Sequence, residues 1–258
     1  MQKSLKKTAL IVSIGTSISK FGGLIRQLVI AGIFGIGAAY DAYNYAYILP
    51  GFFLILLGGS NGPLHNSIVS ILSNKSEPER RYIISSINTV TSIFLAVLAL
   101  IIFTNAELII NLIGPGLNSE TSKIAIFQLK IMAPIVLLSG LIGLGFGALN
   151  TAEDFIIPSI SPIISSLSLI LFIGTYFILK EPNTNDLNYE LAGGIILAIG
   201  TVAGSFFQWI VQLPKLVKTR LLRLKPNFDL ENQGVKEVLR LLIPATLSSG
   251  MLQINVFT

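Results

Sequence analysis

No cysteine occurs in this chain, so neither a disulfide framework nor a thiolate metal site can be built from it. A single histidine, His65, excludes a metal centre that needs several imidazoles. Charge is scarce too. Only 12% of the 258 residues are Asp, Glu, Lys or Arg, about half of what a soluble domain carries. No G-x-x-x-x-G-K-[ST] run is present, which excludes ATP hydrolysis through a phosphate loop of that kind. The carboxylates collect between apolar stretches and form no inward pair with histidine, so acid–base catalysis has no visible apparatus. Ser and Thr within the apolar stretches read as packing hydroxyls, not nucleophiles. The sequence thus offers no cofactor motif, no metal set and no enzyme site.

Apolar surface is what the chain has in abundance: 52% of residues are hydrophobic and the mean hydropathy is +0.75. Seven stretches approach or exceed the roughly 20 residues that cross a bilayer as helix. They cover 8–34, 42–72, 82–104, 124–149, 157–179, 190–214 and 238–258. The runs are continuous and do not alternate, which excludes a barrel and leaves helices as the spanning form. The fold class is therefore an all-α polytopic membrane protein, with six spans and an incomplete seventh. A cleaved signal peptide fits the first stretch poorly, because the run is too long and no small-residue cleavage site follows it.

The basic residues set a direction. Lys3, Lys6 and Lys7 precede the first span, and Lys75, Arg80 and Arg81 follow the second. Lys215, Lys218, Arg220, Arg223, Lys225, Lys236 and Arg240 surround the sixth connection. The opposite loops hold only Lys123 and Lys180, beside Glu107, Glu120, Glu181, Asp186 and Glu190; Glu153 and Asp154 in the fourth loop decide nothing. By the positive-inside rule the N-terminus is expected in the cytoplasm. The net charge of +5 does not point to nucleic acid, because the basic residues make no patch interleaved with aromatics; it suits anionic lipid headgroups. Pro226–Gln233 reads as a cytoplasmic linker, dividing a six-helix lobe, 1–225, from 226–258, the linker and the start of helix seven. The chain stops within the seventh apolar run, so an N-terminal fragment of a longer protein is expected.

Three charges lie where an apolar run should exclude them. Lys20 and Arg26 are inside the first span and Asp41 opens the second. Each costs at least about 2.5–3.5 kcal/mol on insertion scales, so such residues tend to line a cavity and carry function. Structural readings stand beside that one. Arg26 could snorkel to an interface, and Asp41 could be a helix N-cap after Gly35-Ile36-Gly37, pairing with Arg26 or not. Lys130 reads as a snorkelling interface residue. Lys20 and Arg26 are about 120° apart around an ideal helix, so they flank a wide cavity or are brought together by a bend at Gly22-Gly23. Cations around a wet cavity suit a phosphate or pyrophosphate headgroup. Pro50, Pro134, Pro158, Pro162 and Pro244, with Gly140, Gly143, Gly145 and Gly147, fit close packing and rocking as well as ordinary membrane-helix composition.

Residues 19–50 read Ser-Lys-Phe-Gly-Gly-Leu-Ile-Arg, then Ala-Gly-Ile-Phe-Gly-Ile-Gly-Ala-Ala-Tyr-Asp-Ala-Tyr-Asn-Tyr-Ala-Tyr-Ile-Leu-Pro. This resembles the opening of the MurJ/MviN family of lipid II flippases, approximately S-R-x-x-G-x-x-R, then A-x-x-F-G-x-G-x-x-x-D-A-F, then a proline. Gly114-Pro115-Gly116-Leu117 is similar to that family's A-P-G-F, and Gly147-Ala148-Leu149-Asn150, with Phe155, Pro158 and Pro162, to its L-N-x-x-x-x-F-x-x-P-x-x-x-P. Gln212-Leu213-Pro214 closes the sixth helix as in the family, and Asn44-Tyr45 with Pro50–Gly59 resembles its cyanobacterial branch.

The resemblance implies the six-helix N-terminal lobe of a MOP-type transporter plus the start of helix seven. It implies alternating-access transport of lipid II, the undecaprenyl-pyrophosphate-linked peptidoglycan precursor, with membrane lipids and cell-wall synthesis proteins as surroundings and partners. It makes Arg26 a cavity arginine and Asp41 an essential aspartate, with Lys20 in place of a family arginine. Leu54 and Ile55 stand where the family has a further arginine, which removes one cationic contact. The rival readings are another exporter of the superfamily, for polysaccharide lipids or drugs, and a scaffold recruiting wall-synthesis partners through the basic segment 215–240.

Overall fold

A computed structural model describes residues 2–35, 37–60, 62–179, 187–221 and 226–254, and all regular structure among them is helical. In order these are α1 (Gln2–Phe34), α2 (Ala38–Leu56), α3 (Pro63–Leu72), α4 (Glu77–Thr104), α5 (Ala106–Ile113), α6 (Ser119–Met132), α7 (Ile135–Thr151), α8 (Ile156–Leu179), α9 (Leu187–Ile210), α10 (Leu213–Lys218) and α11 (Gln233–Ile254). Five segments are long and apolar enough to cross a membrane: Thr8–Phe34, Glu77–Thr104, Ser119–Thr151, Ile156–Ile178 and Leu191–Lys218. The protein is thus a multi-pass membrane protein, and these five match expected spans.

The other two expected spans differ. The stretch 42–72 is no single helix, because it breaks between Leu56 and Pro63. Proline at the first position of α3 has no N–H to lose there and starts a new helix after Gly62. The seventh, expected over 238–258, is α11, which begins earlier at Gln233, the last residue of the expected linker; 255–258 lie outside the described residues.

Helix starts follow local side-chain chemistry. Ser76 and Glu79 form a capping box on α4, the Ser76 N–H donating to Glu79 Oε2 at 3.0 Å. Asn118 Oδ1 accepts from the Thr121 N–H at 2.8 Å and caps α6. Asp154 serves two helices, since its Oδ1 accepts from the Ile156 N–H at 3.2 Å and its Oδ2 pairs with Lys215 Nζ at 2.7 Å. The fourth loop, uninformative about orientation, therefore ties the start of α8 to α10.

Helix α7 is the centre of the bundle and α1 its edge. In the most apolar window of Ser119–Thr151, 78% of residues are buried, against 11% in that of Thr8–Phe34. Helices α2, α3, α4 and α9 all pack on α7, whereas α1 rests mainly on α8. The glycines of α7 make this approach possible. A Cβ on Gly143 would stand 1.8 Å from the Leu57 carbonyl oxygen, so α7 lies backbone-to-backbone against the break between α2 and α3. The break is thereby covered by protein, the condition under which irregular backbone survives at membrane depth.

The segment 226–232 is strapped to α4. The Asn227 N–H donates to Thr89 Oγ1 at 3.0 Å and Tyr82 Oη donates to Asp229 Oδ2 at 2.7 Å. Asn232 Oδ1 then accepts from the Gly234 N–H at 3.0 Å, starting α11. The Tyr82 hydrogen bond, with the Asn232 and Glu231 amides and nearby Lys236, holds the Asp229 carboxyl below the usual carboxylate range.

Two outcomes follow. Gly143→Ala cannot be absorbed by a rotamer change, because the obstacle is backbone; overpacking costs about 1–3 kcal/mol or more. In detergent, size-exclusion-monitored melting should show a large loss for Gly143→Ala and little change for Gly174→Ala, whose Cβ would meet nothing within 4 Å. A carboxyl lowered on folding contributes above its unfolded pKa and loses that contribution as pH falls through the lowered value. The protection factor of the Asn227 amide, with the intrinsic pH dependence of exchange divided out, should thus stay level between about pH 8 and 5 and fall only below about pH 4, whereas Tyr82→Phe should lower it across the range from about pH 5 to 8.

Candidate functional site

Helix α1 is fixed to α8 by Ser19, whose Oγ donates to the Ser159 carbonyl at 2.7 Å. It then turns through Gly35, at φ +55°, into α2. This hairpin matches depths on its two arms. At 1.5 Å per residue Arg26 lies about 12 Å below the Phe34 end of α1, and Tyr47 about 14 Å below the Ala38 end of α2. Arg26 accordingly lies near the Tyr47 hydroxyl, with Tyr43 also near its charge. The Arg26 Nε is buried and has no hydrogen-bond partner. The guanidinium thus has one buried edge, on a residue that is half-buried as a whole.

The tyrosines form a ladder that the sequence contains but that charge counting passes over. Tyr40, Tyr43 and Tyr47 share one face of α2 at helical spacing. The Tyr43 and Tyr47 rings stack with centroids 5.4 Å apart and 11° between planes, and Tyr40 stacks on Tyr43 at 6.5 Å. Tyr43 Oη lies 3.1 Å from Thr201 Oγ1. Thr201 already donates to the Leu197 carbonyl at 2.8 Å, so the Tyr43 hydroxyl is the donor between them. Gln128, fully buried, donates through Nε2 to the Ala39 and Gly194 carbonyls at 3.1 Å each and joins the start of α2 to α9. The available signal was the spacing of the tyrosines, three and four residues apart.

Lys20 is exposed on α1, whereas Arg26, about 120° away around the helix, is half-buried. Asp41 is exposed in the first turn of α2. The reading of Asp41 as an N-cap is corrected: Gly37 holds that position, and no side chain caps it. Asp41 instead places its negative charge at the positive end of the helix dipole. Nor does Asp41 pair with Arg26; among the described residues the ion pair present is Lys215–Asp154. The reason is axial, since Asp41 is only about 4–5 Å from the Ala38 end and so about 8 Å from the level of Arg26.

Leu54 packs against the buried cluster of Leu138, Ile142 and Phe146, while Ile55 is exposed, so neither position supplies a cation. His65 is a packing residue. Its Nε2 lies 2.7 Å from Asn150 Nδ2 and its Nδ1 lies 3.0 Å from Asn66 Oδ1, which joins α3 to α7. Among the described residues no three His, Cys, Asp or Glu side chains group as metal ligands.

Comparison with known proteins gives a consistent picture. The family model described as "Lipid II flippase MurJ" matches residues 30–258. The chain is 46% identical over 256 residues to a probable lipid II flippase MurJ of Synechocystis, covering 99% of this chain and 48% of that protein. It is 28% identical over 262 residues to the lipid II flippase MurJ of Burkholderia cenocepacia, covering 98% and 48%. A solved structure titled "Lipid II flippase MurJ, inward closed conformation" superposes with a TM-score of 0.76 at 28% identity, covering 96% of this chain and 49% of that one. The chain spans about half the length of the curated relatives it matches.

With no native cysteine, single introduced thiols report cleanly. If Lys20 faces an aqueous cavity, Lys20→Cys should react with a membrane-impermeant maleimide in vesicles far faster than Leu28→Cys, an apolar position of the same span that is 64% exposed. Equal, slow labelling of the two would put Lys20 against lipid.

Proposed function

The chain belongs to the MurJ family of lipid II flippases, and from that premise we propose that it forms the N-terminal lobe of a flippase for lipid II. In this reading 1–225 is the six-span lobe and 226–258 carries the linker and the start of helix seven. The N-terminus lies in the cytoplasm and the protein in the bacterial inner membrane, with wall-synthesis proteins as neighbours. The headgroup enters as a pyrophosphate and crosses as the lobes rock, so no covalent chemistry is required of the chain.

One observation carries the site assignment: an arginine at membrane depth whose Nε is buried without a partner. Burying a charged donor unpaired is costly, and the cost is offset when an anionic oxygen arrives. Lys20, exposed on the same helix, adds a second positive charge along the path of the headgroup. Asp41, held at the start of α2, contributes a negative charge that favours passage over capture. Energy for one-way movement comes from an ion gradient or from the membrane potential, which is worth about 2.3 kcal/mol per unit charge per 100 mV. A scaffold role for 215–240 draws less support, because Lys215 is engaged by Asp154 and the segment around Asp229 is held on α4.

The test is complementation. The protein, expressed from its source gene in a bacterium whose own lipid II flippase can be switched off, should restore growth and wall synthesis. Arg26→Ala and Asp41→Asn, at equal membrane abundance, should not. Rescue by the parent and both variants alike would remove the site assignment while leaving transport intact, and failure of the parent would remove the substrate assignment.

A further inference from the structure

Helices α1 and α8 meet closely at Gly22, where a Cβ would stand 2.8 Å from Ile163 Cγ1. Beside this crossing they leave an apolar groove of about 460 Å³, lined by Ser17, Phe21 and Ile25 of α1 and by Ile163, Leu167 and Ile170 of α8. Phe21 and Leu167, one from each helix, are 63% and 50% exposed, so the groove is open and not a sealed void. Its walls are branched aliphatic and aromatic apart from the Ser17 hydroxyl.

The groove lies at the level of Lys20, which Ser17 and Ile25 bracket along α1. Lys20 stands near the middle of the span Thr8–Phe34, about 18 Å from one end and about 21 Å from the other at 1.5 Å per residue. Round the helix, Arg26 lies about 120° to one side of Lys20. The groove begins about 60° to the other side at Ser17, then runs through Phe21 at about 100° and Ile25 at about 140°. Lys20 is therefore on the boundary between a cationic sector and an apolar groove. Helix α1 presents the two side by side at one depth, as a lipid joins a charged head to its chain.

We propose that the α1–α8 groove is a docking site for the isoprenoid chain of the transported lipid, holding it while the phosphates pass Lys20. This rests on the reading of Lys20 and Arg26 as headgroup-binding residues. Charge complementarity selects the occupant. The phosphate of a resident phospholipid stays at the interface, about 15 Å from the middle of the hydrocarbon core, and does not come level with Lys20. A lipid in transit brings its phosphates to that depth, and its chain then lies against α1. The groove by itself holds hydrocarbon weakly, because lipid tails are as apolar as its walls. A phosphate held at Lys20 makes docking of its own chain intramolecular and raises the effective concentration of that chain at the groove.

The experiment uses the protein from its source gene in nanodiscs of phosphatidylglycerol and phosphatidylethanolamine, with radiolabelled undecaprenyl pyrophosphate as the probe. A photoreactive benzophenone side chain replaces Phe21, Leu167 or, as the control, Phe94 on α4, which is about as exposed as Phe21. Irradiation should attach the probe several-fold more at Phe21 and Leu167 than at Phe94, and unlabelled undecaprenyl pyrophosphate should compete with it. Lys20→Gln should lower attachment at both groove positions several-fold and leave the melting temperature unchanged. Equal attachment at Phe94 would mean a chain merely dissolved around the protein and would overturn the proposal. Attachment of phospholipid in place of the probe, or of another part of the protein, would do the same, making the groove a resident-lipid site or an internal interface. Attachment unmoved by Lys20→Gln would sever chain from headgroup and also overturn it. No attachment at the groove, with Arg26→Ala still unable to support growth, would remove the groove and keep the transport reading. Growth supported by Arg26→Ala would instead remove the headgroup reading on which the proposal stands.

Discussion

Everything in this protein follows from the absence of hydrogen-bond partners in hydrocarbon. A backbone amide at membrane depth must be satisfied by the chain itself, which turns each long apolar stretch into a helix. Where the chain departs from helix, between Leu56 and Pro63, the departure has to be covered. It is covered by α7, and Gly143 is the residue that lets two backbones meet. Gly145 repeats the device on another side, where a Cβ would stand 2.0 Å from Gln212 Oε1. The most buried helix is therefore also the one richest in glycine, because it must be thin enough for several neighbours to touch it.

The same constraint ranks the charges. A cation at depth is tolerated where something polar lies near it, and Arg26 lies near the Tyr47 hydroxyl. That proximity depends on the short turn at Gly35, which sets the two arms of the α1–α2 hairpin at matching depths. It depends equally on Tyr43, whose bond to Thr201 fixes α2 against α9. Asp41, nearer the turn, is on a different level and does not share it. Charges that look adjacent when listed along the sequence are thus separated by the rise of the helices.

The cytoplasm-facing end in the proposed orientation follows ordinary aqueous rules. Caps and an ion pair are made there by Ser76, Glu79, Asp154, Lys215 and Asn232. Within Pro226–Gln233, expected as a linker, Asn227 and Asp229 are held to α4 through Thr89 and Tyr82. The first turns of α11 consequently pack against α3 and α4.

Hydropathy alone determined the helical class, most of the span limits and the place of Lys20 and Arg26 within the first span, because burial in lipid acts on each stretch separately and leaves its mark in composition. The motif at 19–50 likewise carried the family likeness that comparison then established. Only the tertiary structure decided which way each charge faces, that the second span is broken, and that Asp41 is neither cap nor partner of Arg26. It also found the tyrosine ladder, whose three rings are unremarkable apolar residues until α1, α2 and α9 are set side by side. Such features depend on the relative rotation and depth of separate helices. A single helix's sequence does not encode those, because they are set by which side chains on other helices come to touch it.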